Sequence, residues 1–136
     1  MTSLVLDCSV TISWFMPNEY STLSWDILNQ VANKGAIVPT LWQLEVGNVL
    51  LIAERKNRIT KEQRLKAISA LNDLPITINQ NTHIWLQVME LAELYKLTSY
   101  DASYLELCIR YNLPLATFDK ELQTAAKIAG IILITN

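Results

Sequence analysis

Four acidic residues of the chain occupy positions from which a folded protein could gather them in one place. They are Asp7, Glu45, Asp101 and Asp119. Asp7 and Asp119 each follow a short apolar run that predicts a buried strand, over residues 3–6 and 115–118. The carboxyl ends of parallel strands meet at one edge of a sheet, where open α/β proteins bind ligands. We therefore expect these two side chains to lie close together.

The other two acids lie on predicted helices. Asp101 falls in the first turn of a helix over residues 98–111, and Glu45 falls in a helix over residues 41–53. The second helix is apolar nearly all round, which is typical of a buried helix, so Glu45 and Asn48 should share one face inside the protein. A buried carboxylate is costly unless it is paired, hydrogen-bonded or bound to a metal. This cost favours a functional role for Glu45.

Each acid also has a purely structural interpretation. Thr98 and Asp101 have the spacing of a capping box, with Asp replacing the usual Glu or Gln, and Asp119 is a good N-cap for a helix over residues 120–129. Glu45 could point into water from the second turn of its helix. Taken singly, a cap is the more common role for the two aspartates, so a catalytic role depends on the acids acting together.

A gathered set of four carboxylates has a clear chemical requirement. Without a counter-charge the groups repel one another, and some of them stay protonated. Oxygen ligands without His or Cys suit Mg²⁺ or Mn²⁺, which also bind phosphate oxygens. Such an ion activates an attacking water and neutralises charge on a scissile phosphate. The acids therefore predict phosphoryl or phosphodiester chemistry.

The composition is that of one compact domain over residues 1–136. A chain of 136 residues with 51% hydrophobic content can bury a full core without a metal or a disulfide. Cys8 and Cys108 lie in apolar runs without CxxC spacing, so we expect small buried hydrophobes in a reducing compartment. A zinc site is disfavoured, because His83 is the only histidine.

The N-terminal residues lack the basic and apolar regions of a signal peptide, and no apolar run approaches the roughly 18 residues that a membrane span requires. We therefore expect a cytoplasmic protein that has no membrane partner.

Positive charge is unevenly distributed in a chain of net charge −2. Six of the eleven Lys and Arg residues fall between residues 55 and 66. They are Arg55, Lys56, Arg58, Lys61, Arg64 and Lys66. Such a run is usually a solvated helix face, and contact with the phosphates of a nucleic acid is the alternative.

The rest of the chain alternates short strands with helices. Further strands are predicted over residues 36–38, 76–78 and 131–134, and further helices over residues 20–33, 60–72 and 82–97. Thr40 and Thr60 each begin a capping-box pattern, and Trp85 is expected in the core. About five short strands alternating with helices predict an α/β fold with a parallel sheet covered on both faces.

Four segments of the chain resemble the PIN-domain family, most closely its VapC-type bacterial toxin branch. They read LVLDCSV, PTLWQLEVGNVL, TSYDASYLELC and LATFDKEL. Together they span essentially the whole chain, and four motifs in this order and spacing are fairly specific. The resemblance implies a three-layer α/β/α fold and an Mg²⁺- or Mn²⁺-dependent endoribonuclease. The implied acidic site is Asp7, Glu45, Asp101 and Asp119.

The same resemblance implies supporting residues and partners. The family pattern has a small polar residue two positions after the first acid, matched by Ser9, and another two positions before the last acid, matched by Thr117. Asn48 matches the Asn that follows the family's Glu. VapC-type proteins are usually dimers that a cognate antitoxin, a VapB-like protein, holds inactive. With RNA as the substrate, Arg55, Lys56 and Arg58 become candidates for phosphate contact.

Other classes of protein also place acids at strand ends. A haloacid-dehalogenase-type phosphatase requires a second Asp two residues after the first, where this chain has Ser9. A receiver domain requires an acidic pair, but Asp7 is followed by Cys8. A non-catalytic binding or scaffold module, with the acids kept as caps, is the main alternative, and a metal-dependent phosphatase is another. Metal titration separates the scaffold from the enzyme.

Overall fold

The structure, a computed structural model, describes residues 2–80 and 84–135. Four strands form one parallel sheet: β1 (Val5–Leu6), β2 (Ala36–Pro39), β3 (Ile76–Asn79) and β4 (Leu115–Ala116). Seven helices connect and cover them within the described residues: α1 (Cys8–Ser13), α2 (Thr22–Lys34), α3 (Leu41–Arg55), α4 (Lys61–Asn72), α5 (Trp85–Tyr95), α6 (Ser99–Tyr111) and α7 (Lys120–Ile128).

The strand order is β3-β2-β1-β4, which places β1 inside the sheet. Along the chain, β2 pairs with one edge of β1 and β3 pairs with β2, whereas β4 pairs with the opposite edge of β1. The strand order therefore reverses direction between β1 and β4, and a reversal of this kind is where open parallel sheets form a ligand crevice. The predicted proximity of the ends of the first and last of these strands is confirmed.

The core lies between the sheet and its helices. All residues of α6 from Ala102 to Cys108 are buried, and this helix packs against β1, β2 and β4. Among the other helices, α3 packs against α1 and α4. The predicted α/β fold with three layers is confirmed. No helix among the described residues combines the length and the apolar character needed to cross a membrane.

Several predicted helix ends are also confirmed. The side chains of Thr60 and Gln63 each accept a hydrogen bond from the other residue's backbone N–H, which completes the capping box at the start of α4. At the end of α2, Gly35 adopts φ 78°, a left-handed conformation that glycine reaches without steric cost.

The predicted fifth strand is wrong. Residues 131–134 contribute one isolated bridge, between Leu133 and Leu115. The physical reason is the shortness of β4, which ends at Ala116 and offers almost no ladder to extend. After Ala116, the N–H of Phe118 donates to the Ser9 hydroxyl and not to a backbone carbonyl of a neighbouring strand.

Two helix starts also differ from the prediction. Thr40 makes no capping bond, because it already has helical backbone angles (φ −58°, ψ −34°) whereas an N-cap residue is extended. Residues 8–13, which the apolar pattern did not identify as a helix, form α1 with Asp7 as its N-cap.

The prediction that α3 is buried all round is wrong. Its buried side chains form one stripe: Trp42, Val46, Leu50 and Ala53. Leu44 is 79% exposed, and Asn48 is exposed as well. An apolar composition therefore did not show which face of the helix has neighbours.

The prediction that Trp85 lies in the core is also wrong, because the residue is 79% exposed. Only Val88 and Ala92 are buried on α5. The helix starts at Trp85, and the predicted start at Thr82 lies outside the described residues.

The one-sided burial of α3 can be tested with two identical changes. Leu50→Ala removes a side chain with 0% exposure and is expected to lower the free energy of unfolding by about 2–5 kcal/mol, because it leaves a cavity. Leu44→Ala should change it by less than about 0.5 kcal/mol. Urea denaturation of both variants measures the difference, and equal losses would contradict the one-sided packing.

Candidate functional site

Asp7 is the innermost acid of the site. It follows β1, caps α1 and is 5% exposed. Its Oδ2 accepts hydrogen bonds from the Ser9 hydroxyl at 2.6 Å and from the Thr117 hydroxyl at 2.8 Å. Burial raises the pKa of Asp7, and these hydrogen bonds act in the opposite direction. The carboxyl group is therefore fixed in place but costly to ionise.

The same two hydroxyls join the ends of β1 and β4. The Ser9 hydroxyl accepts from the N–H of Phe118 at 2.9 Å. The Thr117 hydroxyl accepts from the N–H of Asp119 at 3.0 Å while it donates to Asp7. Ser9 and Thr117, two of the three residues expected as supporting polar groups, thus lie beside the first acid, and together they fix the backbone around the last one.

Asp119 does serve as a cap. It has extended backbone angles, and its Oδ1 accepts from the N–H of Leu122 at 2.9 Å at the start of α7. A carboxylate has further lone pairs on both oxygens, so this bond does not prevent the group from binding a ligand. The structural and functional interpretations of Asp119 are compatible.

Asp101 lies in the first turn of α6, where the Thr98 side chain caps the helix by accepting from the Asp101 N–H at 3.1 Å. The pKa of Asp101 is raised to about 6, first by burial and then by the negative charges of Asp119, Asp7 and Glu121. The acid on α6 therefore lies within electrostatic reach of both strand-end acids. Glu121, which the sequence did not single out, adds further negative charge.

Glu45 reaches the site from α3 and is partly buried. Its Oε1 accepts a hydrogen bond from the hydroxyl of Tyr104 at 2.6 Å. Burial raises the pKa of Glu45, the bond from Tyr104 opposes this, and the charges of Asp7 and Asp101 raise it further. The four predicted acids are therefore brought to one region by four different elements.

Tyr104 was missed by the sequence analysis. It is fully buried on α6, three residues after Asp101 and therefore on the same side of the helix. That spacing was the available signal, because a buried Tyr hydroxyl usually finds a hydrogen-bond partner.

A further chain of hydrogen bonds anchors α3 next to Asp7. The indole N–H of Trp42 donates to the Thr11 hydroxyl at 3.0 Å, and that hydroxyl donates to the backbone oxygen of Asp7 at 3.3 Å. Trp42 lies one turn before Glu45. The start of α3 is thus fixed relative to the end of β1.

Both cysteines are free and buried, as predicted. Cys8 lies next to the acids, and burial together with the charges of Glu45 and Asp7 raises the pKa of its thiol to about 12. It therefore remains a neutral thiol that packs against the site.

The arrangement concentrates negative charge and oxygen donors in a partly buried region, a chemistry that suits a divalent cation. Within residues 2–80 and 84–135, no three Asp, Glu, His or Cys side chains form a ready-made ion site. Mg²⁺ commonly keeps several waters and uses one or two carboxylates, so this geometry is compatible with it.

The predicted basic contacts do not lie beside the acids. Arg55 ends α3, ten residues after Glu45, which corresponds to about 15 Å along the helix axis. Arg58 forms an ion pair with Glu19 at 3.5 Å. The side chain of Lys56 is exposed. Asn48, three residues after Glu45 on α3, is exposed.

Comparisons with known proteins agree with this architecture. Residues 4–128 match the family model of the PIN domain. The fold is similar to PAE2754 from Pyrobaculum aerophilum, with a TM-score of 0.71, 22% identity and coverage of 98% of this chain and 90% of that one. It is also similar to FitAcB from Neisseria gonorrhoeae, with a TM-score of 0.66, 12% identity and coverage of 97% and 96%. No curated protein matches the chain in sequence. The match over residues 4–128 shows that the chain belongs to the PIN domain family.

Proposed function

We propose that this protein is a metal-dependent endoribonuclease that hydrolyses RNA phosphodiester bonds. The observation that carries the proposal is the gathering of acids from different elements at one end of the sheet. Asp7 and Asp119 follow the paired strands β1 and β4, and the Thr117 hydroxyl joins these strand ends by donating to Asp7. Burial first, and then the charges of other acids in the set, raise the pKa of Glu45 and of Asp101. Such a concentration of charge disfavours folding, and a bound cation would offset it. Membership of the PIN family supports the same activity, because PIN domains are typically nucleases.

The proposed roles follow from where the side chains lie. Asp7, Glu45, Asp101 and Asp119 would hold Mg²⁺ or Mn²⁺, which when bound supplies a Lewis acid for water activation and charge neutralisation at the phosphate. Ser9 and Thr117 orient the carboxylate of Asp7 through their hydroxyls. The Ser9 hydroxyl is used in this way where a haloacid-dehalogenase-type phosphatase would need a second acid.

We further propose that the enzyme is the toxin of a toxin–antitoxin pair, a cytoplasmic homodimer controlled by a VapB-like antitoxin. Support comes from the four VapC-type sequence motifs. It also comes from three large apolar side chains that α5 leaves exposed, Trp85, Leu86 and Leu94. A partner chain could cover such side chains.

A non-catalytic module is the competing function, and the observed capping bonds of Asp119 and Thr98 are what favour it. Replacing an aspartate by asparagine separates the two, because asparagine caps a helix about as well but has no charge.

Asp119→Asn is expected to lower the rate of Mn²⁺-supported cleavage of a long single-stranded RNA by at least about 100-fold, because it removes a metal-binding charge. The free energy of unfolding should change by less than about 1 kcal/mol, since the cap is kept. Glu62→Gln, which removes an exposed acid in the first turn of α4, is the control. Cleavage by Asp119→Asn at a rate within threefold of the wild type would leave Asp119 as a cap only.

Stability should depend on pH through Asp101. Its folded pKa of about 6 exceeds the ordinary value of 3.8, so the folded state binds the extra proton between these values. In metal-free buffer the unfolding free energy should therefore fall as pH rises from about 4 to 7. Asp101→Asn should be more stable than the wild type at neutral pH and equal to it near pH 4. Urea titrations measure this, with Asp26→Asn on α2 as an exposed control. A wild type that gains stability over this range relative to Asp101→Asn contradicts the raised pKa of Asp101.

The segment containing Arg55, Lys56 and Arg58 is proposed to contact RNA outside the site, since an acidic site needs positive charge elsewhere to hold a polyanion. Replacing all three by Ala in an Asp101→Asn background should flatten the slope of log affinity against log salt by roughly two units. This is less than three because Arg58 is already paired with Glu19. An unchanged slope removes the segment from the RNA path.

A further inference from the structure

The side chain of Tyr104 on α6 contacts Glu45, the acid of α3, across the site. Its hydroxyl donates to Glu45 Oε1 at 2.6 Å, across 59 positions in the sequence. The ring is fully buried, so the donor approaches from inside the protein. The contact therefore fixes one oxygen of Glu45 relative to the helix that also carries Asp101.

Glu45 needs such a contact to stay in the crevice. It lies in the second turn of α3, on a part of the helix where Leu44 and Asn48 are exposed, so water is within easy reach of a long flexible side chain. The charges of Asp7 and Asp101 repel its carboxylate. Without a donor on the inner side, rotation into solvent would relieve both the repulsion and the burial.

We infer that Tyr104 is a positioning residue that holds the Glu45 carboxylate in the acidic crevice, and that it acts on the reaction through Glu45 without contacting RNA. This inference rests on the proposed function. A neutral phenol suits the task, because it donates one hydrogen bond and adds no charge. A Lys or Arg at this place would neutralise Glu45 and compete with a cation. The carboxylate retains its other lone pairs for a ligand.

A simpler interpretation is that Glu45 merely satisfies the buried hydroxyl of Tyr104. Removal of the hydroxyl would then alter stability alone. The two interpretations differ in metal affinity and in whether the effect depends on the carboxylate of Glu45, both of which can be measured.

The test is a double-mutant cycle on the full chain, using Tyr104→Phe, Glu45→Gln and the double variant. Calorimetry with Mn²⁺ gives the metal affinity, and steady-state cleavage of a long single-stranded RNA gives kcat and KM. Tyr100→Phe makes the same chemical change on the same helix at a mostly exposed side chain and serves as the control. Circular dichroism and thermal unfolding establish that each variant is folded.

Tyr104→Phe is expected to weaken Mn²⁺ binding by about 10- to 100-fold, the usual effect of losing a partner of a metal ligand. KM for RNA should change by less than about threefold, and excess Mn²⁺ should restore much of kcat. In the Glu45→Gln background the same change should have little effect on affinity. An equal loss of Mn²⁺ affinity in the wild-type and Glu45→Gln backgrounds would overturn this inference, and so would wild-type affinity in Tyr104→Phe. Either result would leave the proposed function standing. A wild-type protein that neither binds Mn²⁺ nor cuts RNA would overturn the proposed function together with it.

Discussion

The parallel pairing of β1 with β4 is the constraint on which the rest of the site depends. Its register places Val5 opposite Leu115 and Leu6 opposite Ala116, and all four residues are fully buried. The strands therefore end side by side, which sets the two acids that follow them at the same edge. Apolar burial stabilises the pairing, whereas the acids beyond it repel one another. The fold places the unfavourable charges where the most securely buried part of the sheet supports them.

Hydroxyl groups hold the carboxylates of this unfavourable arrangement in fixed orientations. Ser9, Thr117 and Tyr104 each donate to one of the acids, and none of them brings a charge. The carboxylates are thus oriented without being neutralised. A salt bridge would offset the repulsion more directly but would remove the negative charge that the proposed cation site requires.

Much of this arrangement could be predicted because it is local. The positions of Asp7 and Asp119 follow from two apolar runs and the rule that parallel strands end at a common edge. The Thr60 capping box likewise depends on residues three apart. Such signals lie within a few residues of the feature that they specify.

The wrong predictions concern features that depend on contacts between distant parts of the chain, and the periodicity of the sequence does not reveal those contacts. The exposure of Leu44 and Trp85 reflects which helix faces lack a neighbour, and apolar content does not report that. Residues 131–134 have the composition of a strand, but the strand they meet is two residues long. Tyr104 could be recognised as important only once its partner, 59 positions away, was known.

The hydrogen bond between Thr117 and Asp7 joins positions 110 apart, which has a consequence for the order of events during synthesis. A ribosome produces β1 and α3 long before β4, so one edge of β1 stays unpaired while most of the chain is being made. Asp7 lacks its donor from Thr117 and its neighbour Asp119 throughout that interval. Closing such a long loop is slow relative to local folding. In a nascent chain Asp7 and Asp119 are therefore apart, and the four acids come together only when the segment around residue 117 has left the ribosome and docked.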